Sequence, residues 1–328
     1  MNNPRSREGG MRLLAVDDSP IALEMLPKLF PRPEFAFVGV ARSGPEALDI
    51  LSAPGAAFDC MLLDIEMPGM DGIELCRRIR ALPGHRHTPI IMLTARDDGD
   101  TIERAFVAGA NDHLVKQNRV SEYIGRVKVA GRLLAEENRF HVERRQTAGE
   151  IDGDGNGVPG RHPFHISDDL TIDGVDRLIL PFSFGNYLTQ LGREDLYRCK
   201  MFAVRIEDVT VHYRSTTTAE FCSILATIAE GIAKVAESRR LLMAYSGDGN
   251  FLCVVRDSKV PDPEAFEALM ARHLRAAARR SRLDRLVGVR VTVGAQTPPC
   301  AHRNQRVRRS LERALARLEA RQRQKLFS

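Results

Sequence analysis

Short apolar runs alternate with amphipathic stretches through the first 130 residues of the chain. The apolar runs predict strands over 12–16, 35–41, 60–64, 89–95 and 113–115, and the stretches between them predict helices over 21–30, 44–51, 73–82 and 100–108, with a further helix from 120. Strands that are apolar on both faces and alternate with helices are typical of parallel sheets. The pattern therefore predicts an α/β fold, a doubly wound five-stranded parallel sheet with right-handed crossovers.

Polar side chains follow four of these predicted strands. Asp17 and Asp18 follow the first strand, Asp64 ends the third, Thr94 lies at the end of the fourth, and Lys116 follows the fifth. The carboxyl ends of parallel strands meet at one edge of the sheet, where open α/β sheets bind ligands. Three neighbouring carboxylates repel one another, and a hard divalent cation such as Mg²⁺ relieves that repulsion.

Such a site has the parts that phosphoryl transfer needs. Asp64 is a carboxylate nucleophile that can accept a phosphoryl group, the Lys116 ammonium neutralises charge on that group, and the Thr94 hydroxyl can bond its oxygens. The alternative is that each residue separately caps a helix or is solvated. Five suitable residues at the corresponding strand ends favour the common site.

The segments around these residues resemble the receiver domain of two-component response regulators over residues 11–130. The likeness lies in segments 16–19 (VDDS), 62–72 (LLDIEMPGMDG), 93–95 (LTA) and 109–116 (GANDHLVK). It implies a flavodoxin-like fold and phosphotransfer to Asp64 from a phosphohistidine on a sensor histidine kinase or phosphotransfer protein. One departure is Gln117, where the family usually has proline, and it puts the geometry of the following loop in question.

The same resemblance assigns roles to further residues. It implies that Asp17, Asp18, Asp64 and the main-chain carbonyl of Glu66 hold Mg²⁺. It also implies that Thr94 and His113 form a switch pair that responds to the phosphoryl group. The alternative for His113 is a half-buried strand residue without a signalling role.

Residues 131–163 are predicted to be a helical and Gly/Asp-rich linker. The helical pattern from 120 runs on to about 145, as either a spacer helix or a contact between two copies in a homodimer. Residues 152–157 (DGDGNG) imitate the first half of an EF-hand calcium loop, but the twelfth position is Pro163 instead of the required glutamate. A flexible acidic linker is therefore favoured over a calcium site.

A new pattern begins after the linker and predicts a second domain over 164–328. Helices are predicted over 182–191, 218–237, 263–282 and 307–323, and strands over 201–206, 241–245, 251–255 and 287–295. The order of these elements predicts an antiparallel sheet with helices on one face, a ferredoxin-like α+β domain. Residues 246–250 (SGDGN) are predicted to be the tip of a β-hairpin.

This second domain resembles the GGDEF (diguanylate cyclase) family, within the wider palm fold of class III nucleotidyl cyclases. The likeness lies in segments 221–229 (FCSILATIA), 245–255 (YSGDGNFLCVV), 291–295 (VTVGA) and 314–316 (ALA). Aligned on Phe251, the signature keeps neither acidic residue, and aligned on Asp248 it keeps one. The family's substrate-binding Lys and Asn and its product-inhibition motif are not evident either.

These departures set the expectations for the second domain. Cyclisation needs two carboxylates for two metal ions, and Asp208 and Asp248 are the candidates, with a nucleotide near Gly247, Gly249 and Asn250. We expect a degenerate, catalytically silent domain that binds a partner or nucleotide without turnover. The alternatives are a phosphorylation-controlled nucleotidyl cyclase and, for Asp248, a turn residue chosen because it tolerates left-handed backbone geometry.

Composition adds limits to this picture. The chain is 43% hydrophobic and 28% charged with a formal net charge of +5, values that are ordinary for a globular protein. Its six cysteines form no CxxC pair, which predicts reduced thiols and no zinc site. No long apolar span or signal peptide is evident, so a cytoplasmic protein without membrane contact is expected, and residues 1–10 are expected to be a disordered leader.

The predicted last helix is strongly basic. Its cationic residues and those just before it are Arg303, Arg306, Arg308, Arg309, Arg313, Arg317, Arg321, Arg323 and Lys325. Nucleic acid binding through this helix is a weaker alternative function, because Glu312 and Glu319 interrupt the run and no aromatic stacking residue accompanies it. A solvated basic face is expected instead.

Overall fold

The computed structural model describes residues 10–95, 98–131, 157–170, 172, 175, 177–238, 240–281, 286 and 288–326. The chain divides into two compact units, Met1–His141 and Val142–Ser328. The predicted continuation of the helix from 132 to 145 and most of the calcium-loop imitation at 152–157 lie outside the described residues. No helix in the described ranges is both long enough and apolar enough to cross a membrane.

The first unit is built on a parallel sheet. Its strands are β1 (Met11–Val16), β2 (Phe35–Ala41), β3 (Cys60–Asp64), β4 (Ile90–Thr94) and β5 (Asp112–Val115). Its helices are α1 (Pro20–Leu29), α2 (Gly44–Ser52), α3 (Gly72–Ala81), α4 (Gly99–Val107) and α5, which starts at 120 and continues through 131. The order β2-β1-β3-β4-β5, with every pairing parallel, confirms the predicted doubly wound sheet.

Apolar layers cover both faces of this sheet. Leu14 and Val16 of β1 pack in the layer that includes side chains of α2 and α3, whereas Leu13 and Ala15 pack in the layer that includes α1 and α5. Every residue of β3 and β4 is buried. Burial of both strand faces explains the uninterrupted apolar runs in the sequence, and it leaves polar residues only at the strand ends.

The helices of the first unit begin at polar caps. Cap side chains accept hydrogen bonds from the first helical turn at Ser19, Ser43, Asp71 and Asp98. At Ser43 the sequence resembles a capping box, but the Glu46 carboxylate accepts from the backbone N–H of Arg42 at 2.7 Å. The cap is therefore shifted by one residue from the usual reciprocal arrangement.

The second unit contains an antiparallel sheet. Its strands are β6 (Cys199–Ile206), β7 (Leu241–Tyr245), β8 (Asn250–Arg256) and β9 (Val291–Val293), in the order β7-β8-β6-β9. Its helices are α6 (Pro181–Gln190), α7 (Arg193–Arg198), α8 (Val209–Ser215), α9 (Thr218–Val235), α10 (Pro263–Ser281) and α11 (Arg306–Leu326), with a 3₁₀ turn at Arg303–Gln305.

Three features of the second unit differ from the sequence prediction. Helices α7 and α8 were not predicted, because six and seven residues are too few to show helical periodicity. Strand β9 is shorter than predicted, because the backbone N–H of Val289 bonds the Leu286 carbonyl in a turn before the strand. The prediction of helices on one face is wrong. Helices α9 and α10 pack on the face that carries Phe202 and Val204, whereas α11 reaches Arg205 on the other face.

Both edges of the second sheet are covered. Beside β7, Leu178 forms an isolated parallel bridge to Met243. Beside β9, the Glu267 carboxylate accepts from the backbone N–H of Val293 at 2.9 Å, and Lys325 Nζ lies 2.9 Å from the same carboxylate. Covered edges oppose strand addition by another chain.

Arg80 bonds the segments that lead into β4 and β5, at the edge of the first sheet opposite Asp64. Its guanidinium group donates to the carbonyl oxygen of Gly109 at 2.9 and 2.8 Å, to the carbonyl of Thr88 at 2.7 Å and to Asn111 Oδ1 at 2.8 Å. Asn111 Oδ1 also accepts from the backbone N–H of Ile90, the first residue of β4. One half-buried side chain of α3 thus fixes the segments that lead into β4 and β5.

We expect Arg80→Ala to lower the free energy of unfolding of the first unit by about 2–3 kcal/mol, because several acceptors lose a charged donor together. Arg78→Ala, on the same helix, removes an exposed ion pair with Glu74 and should cost less than about 0.5 kcal/mol. Urea unfolding of each full-length variant measures the free energy of unfolding. Hydrogen exchange of β4 and β5 shows whether the loss lies in the first unit. Equal effects of the two substitutions would contradict this role for Arg80.

Candidate functional site

Three carboxylates meet at the carboxyl edge of the parallel sheet. Asp17 directly follows β1, Asp64 is the last residue of β3, and their ligating oxygens and that of Asp18 all lie within 4.8 Å of one another. Asp17 is 0% exposed and Asp64 is 2% exposed, whereas Asp18 is open to solvent. Across the described ranges, no other group of three or more such side chains is this close.

Lys116 is the cation of this site. Its Nζ atom lies 2.8 Å from Asp17 Oδ2 and 2.9 Å from Asp64 Oδ2. The backbone N–H of Lys116 donates to the Thr94 carbonyl at 2.8 Å, which extends the β4–β5 pairing by one residue. The strand register therefore places one ammonium group between two buried carboxylates.

The electrostatics of the site are dominated by burial and by this lysine. Burial raises the pKa of Asp64 above its ordinary value and the charge of Asp17 adds to the increase, while the Lys116 ammonium opposes both. Burial alone would lower the pKa of Lys116, but its hydrogen bonds and ion pairs with the two carboxylates outweigh burial and raise it. Lys116 thus favours the ionised form of Asp64, and the two carboxylates favour the protonated form of Lys116.

The donor set fits a divalent cation. Three carboxyl groups meet one ammonium group here, and carboxylate oxygens are the ligands that Mg²⁺ prefers. Asp17 Oδ1 accepts from the backbone N–H of Ser19 at 2.9 Å, and Asp64 Oδ1 accepts from that of Glu66 at 3.4 Å. These bonds orient the two buried carboxylates toward the edge of the sheet. The role of the Glu66 carbonyl stays a prediction.

The loop after Asp64 folds closely over the end of β3. A side-chain carbon at Gly72 would lie 2.0 Å from the Asp64 carbonyl oxygen, so only glycine fits there. A pocket of about 470 Å³ opens beside this loop, and its lining includes Asp18, Glu66 and Arg104. Arg104 on α4 was not identified from the sequence, because one exposed arginine on an amphipathic helix carries no distinguishing signal.

Thr94 and His113 are both buried, with exposures of 1% and 2%. The His113 ring packs edge-on against Phe106, with ring centroids 6.1 Å apart. Burial lowers the pKa of His113 to about 4, and the charge of Arg126 adds to the decrease. At neutral pH the imidazole is therefore uncharged and behaves as an inward-facing aromatic side chain. Its proposed switch role stays a prediction.

The candidate residues of the second unit lie around the β7–β8 turn. Gly247, Asp248 and Gly249 all have positive φ values, of 76°, 50° and 74°. The sequence predicted this hairpin tip. It also offered the alternative that Asp248 is a turn residue that tolerates left-handed backbone geometry, and the backbone of Asp248 has that geometry. Asn250 is 8% exposed, and its side chain bonds the Gly247 carbonyl and accepts from Arg205 Nε at 2.6 Å.

Asp208 also has a left-handed backbone, with φ of 52°. Its side chain is 71% exposed and lies 3.8 Å from an Arg290 nitrogen, so it is weakly held. The turn itself is closely bonded. The backbone N–H of Asp248 donates to the Ile166 carbonyl at 2.8 Å, and that of Gly249 donates to the Tyr245 hydroxyl at 3.2 Å. The Ile166 partner was not predicted, because a contact between residues far apart in sequence leaves no local signal.

We expect Lys116→Gln to raise the pKa of Asp64 further, because the substitution removes the charge that favours the ionised carboxylate. Carbon-13 NMR of the Asp64 carboxyl group over a pH series measures the change. Lys128→Gln removes an ammonium group of α5 that is paired with Glu34, and it should leave the Asp64 titration unchanged. An unchanged or lower Asp64 pKa in Lys116→Gln would show that Lys116 does not control this carboxylate.

Comparison with known proteins identifies the family of the first unit. Residues 13–128 match the response regulator receiver domain family. The chain is 37% identical over 131 residues to the transcriptional regulatory protein ResD of Bacillus subtilis, a match that covers 40% of this chain and 52% of ResD. It is 37% identical over 117 residues to the DNA-binding response regulator MtrA of Mycolicibacterium smegmatis, which covers 36% and 49%.

Among solved structures, the receiver domain of a signal transduction histidine kinase from Syntrophus aciditrophicus is 31% identical, covering 37% of this chain and 89% of that one with a TM-score of 0.34. The chain thus spans about half the length of ResD and of MtrA. Residues 13–128 belong to the response regulator receiver domain family.

Proposed function

We propose that Asp64 accepts a phosphoryl group and that the receiver domain passes this signal to the second unit. The observation that carries the proposal is the buried Asp64 carboxylate at the end of β3, bonded to Lys116 and grouped with Asp17 and Asp18. The donor is a phosphohistidine on a sensor histidine kinase or a phosphotransfer protein, in keeping with the two-component family of the domain.

The transfer is a substitution at phosphorus. A carboxylate oxygen of Asp64 forms the new bond to phosphorus, the phosphorus–nitrogen bond of the phosphohistidine breaks, and the leaving imidazole takes up a proton. The product is an acyl phosphate on Asp64. Lys116, which contacts the Asp64 carboxylate before transfer, is within reach of the phosphoryl oxygens afterwards, and Thr94 is the hydroxyl donor to them.

The residues that would hold Mg²⁺ are Asp17, Asp18, Asp64 and the main-chain carbonyl of Glu66. When bound, this cation supplies positive charge that offsets the negative charge of the transferred group. The open position of Asp18 beside the pocket leaves one side of the site accessible to solvent. Thr94 would then move toward the phosphoryl group on Asp64, and His113 would respond to that movement as the second member of the switch pair.

We expect Asp64→Asn to abolish acyl-phosphate formation, because an amide oxygen cannot form a stable bond to phosphorus. Purified full-length protein is incubated with acetyl phosphate and Mg²⁺, and its intact mass is measured before and after treatment with hydroxylamine. Asp49→Asn changes an exposed carboxylate of α2 and should leave the added phosphoryl mass unchanged. Equal labelling of the Asp64→Asn protein would identify a different acceptor.

For the second unit we propose a ferredoxin-like domain of the nucleotidyl cyclase palm type that is catalytically silent. The sheet order β7-β8-β6-β9 supports the ferredoxin-like assignment. Counted along the chain, β8 is the third strand of the β-α-β-β-α-β order, and it lies between the first strand, β6, and the second, β7, as in this fold. The hydrogen bonds of the β7–β8 turn support a catalytically silent domain, because the backbone N–H groups of Asp248 and Gly249 already donate to Ile166 and Tyr245 within the protein.

The alternative is a phosphorylation-controlled diguanylate or other nucleotidyl cyclase, and it makes a different prediction. If the domain is catalytically silent, the protein forms no cyclic nucleotide from GTP or ATP in the presence of Mg²⁺, with or without acetyl phosphate. Liquid chromatography of the reaction mixture measures this. A cyclic product that is lost in Asp248→Ala would replace the silent reading with the cyclase. A basic helix that binds nucleic acid is the weaker third proposal, and Glu312 pairs with Arg308 within that helix.

A further inference from the structure

Residues 160–168, which we call the strap, cross the second unit close to the point where the chain enters it. At the start of the strap, the backbone N–H of Gly160 donates to the Thr216 carbonyl at 3.0 Å. His162 Nε2 lies 2.6 Å from the Tyr213 carbonyl, and the His162 and Tyr213 ring centroids are 4.2 Å apart. Because a carbonyl only accepts, His162 Nε2 carries the proton. The strap is thus bonded to α8 and to the residue that follows it.

An aromatic cluster anchors the middle of the strap. The Phe164 ring lies 6.1 Å from the rings of both Tyr213 and Phe221, and the Tyr213 hydroxyl donates to the Phe164 carbonyl. Phe221 is fully buried in the core at the start of α9. The His162 ring also lies 5.7 Å from that of Phe221, so the strap contacts the core through two aromatic side chains.

The end of the strap occupies the β7–β8 turn. The Ile166 carbonyl accepts from the backbone N–H of Asp248 at 2.8 Å, and the Ser167 hydroxyl donates to Asp248 Oδ1 at 2.9 Å. A side-chain carbon at Gly247 would lie 2.2 Å from the Ser167 carbonyl oxygen, so the two backbones are in close contact. The strap thus bonds the backbone N–H of Asp248 and one of its carboxylate oxygens, while the side chain stays exposed.

We propose that the strap is an inhibitory segment, which blocks the β7–β8 turn and is released when Asp64 is phosphorylated. This inference rests on the proposed function of the receiver domain. Released, the turn presents the backbone N–H of Asp248 and its two flanking glycines, and the Asp248 carboxylate, which is already exposed, loses its bond to Ser167. The strap would then decide whether the turn can take part in binding a nucleotide, a metal ion or a partner.

The burial of the strap fits a segment that can detach. Its residues alternate between exposed and half-buried, and none is fully buried, whereas β7 and β8 beneath it are buried at every position. Segments that bury little apolar surface open at lower free energy than the core that supports them. Along the chain, the strap lies between the receiver domain and the first strand of the second sheet. A change that passes along the chain from the receiver domain therefore reaches the strap before it reaches the sheet.

The proposal is tested by hydrogen exchange of the full chain with and without beryllofluoride and Mg²⁺, a phosphoryl mimic at Asp64. We expect peptides covering 160–168 and 245–250 to exchange together about tenfold faster or more when the mimic is bound. Fluorine NMR reports whether the mimic is bound. Absence of the bound signal would contradict the proposed function, whereas a bound signal with unchanged exchange in both peptides would overturn the strap proposal alone.

Substitutions test the link between strap and turn without phosphorylation. Ser167→Ala removes one hydrogen bond and should speed exchange of the 245–250 peptide by about fivefold. Phe164→Ala removes the aromatic anchor and should speed it more. The matched control is Asp169→Ala, an exposed neighbour of the strap, which should leave the exchange rate unchanged. Protected peptides from β6 and β8 verify folding. Unchanged turn exchange in a folded Phe164→Ala protein would overturn the proposal.

Discussion

The ammonium group of Lys116, shared between Asp17 and Asp64, is the interaction on which the receiver site depends. Two carboxylates at 0% and 2% exposure would repel each other strongly without a cation between them. Lys116 meets both at hydrogen-bonding distance, and it does so because the β4–β5 register continues to its own backbone N–H. The chemistry at the edge of the sheet thus follows from strand pairing, and the polar residues could not be placed so deeply without it.

Most of the receiver domain could be predicted from the sequence because its local signals agree. The apolar runs of β3 and β4 are buried on both faces, and their polar residues, Asp64 and Thr94, appear where each strand ends. Position in the sequence therefore indicated which side chains meet at Asp64. The sequence did not indicate how close the loop lies to β3, because the contact of Gly72 with the Asp64 carbonyl is a property of the folded backbone. Arg80 was missed for a similar reason, since its acceptors are backbone carbonyls distant in sequence.

The second unit was less predictable because its determining contacts are non-local. The β7–β8 hairpin was predicted from its turn residues, but the state of Asp248 is set by Ile166 and Ser167, about eighty residues earlier. The wrong expectation of helices on one face has a related cause. Strand β7 and residues 251–255 of β8 are apolar at every position, a pattern also produced by burial on both faces. The cover of the second face includes α11, which packs on β6 even though its sequence is dominated by basic residues.

If phosphorylation of Asp64 acts on the second unit as proposed, magnitudes favour the strap over the sheet as the element that it moves. Coupling between distant sites is worth about 1–3 kcal/mol in typical proteins, and a signal cannot move an element held by much more than that. The strap is held by several hydrogen bonds along its length, each worth about 1 kcal/mol net, and by the ring contacts of His162 and Phe164. Strand β8 lies between two neighbouring strands, with every residue buried, so its displacement would cost several times more. Breaking only the two bonds that Ile166 and Ser167 make with Asp248 costs about 2 kcal/mol, which is within that range, so under this proposal the end of the strap at the β7–β8 turn is the part that a phosphoryl group on Asp64 would release.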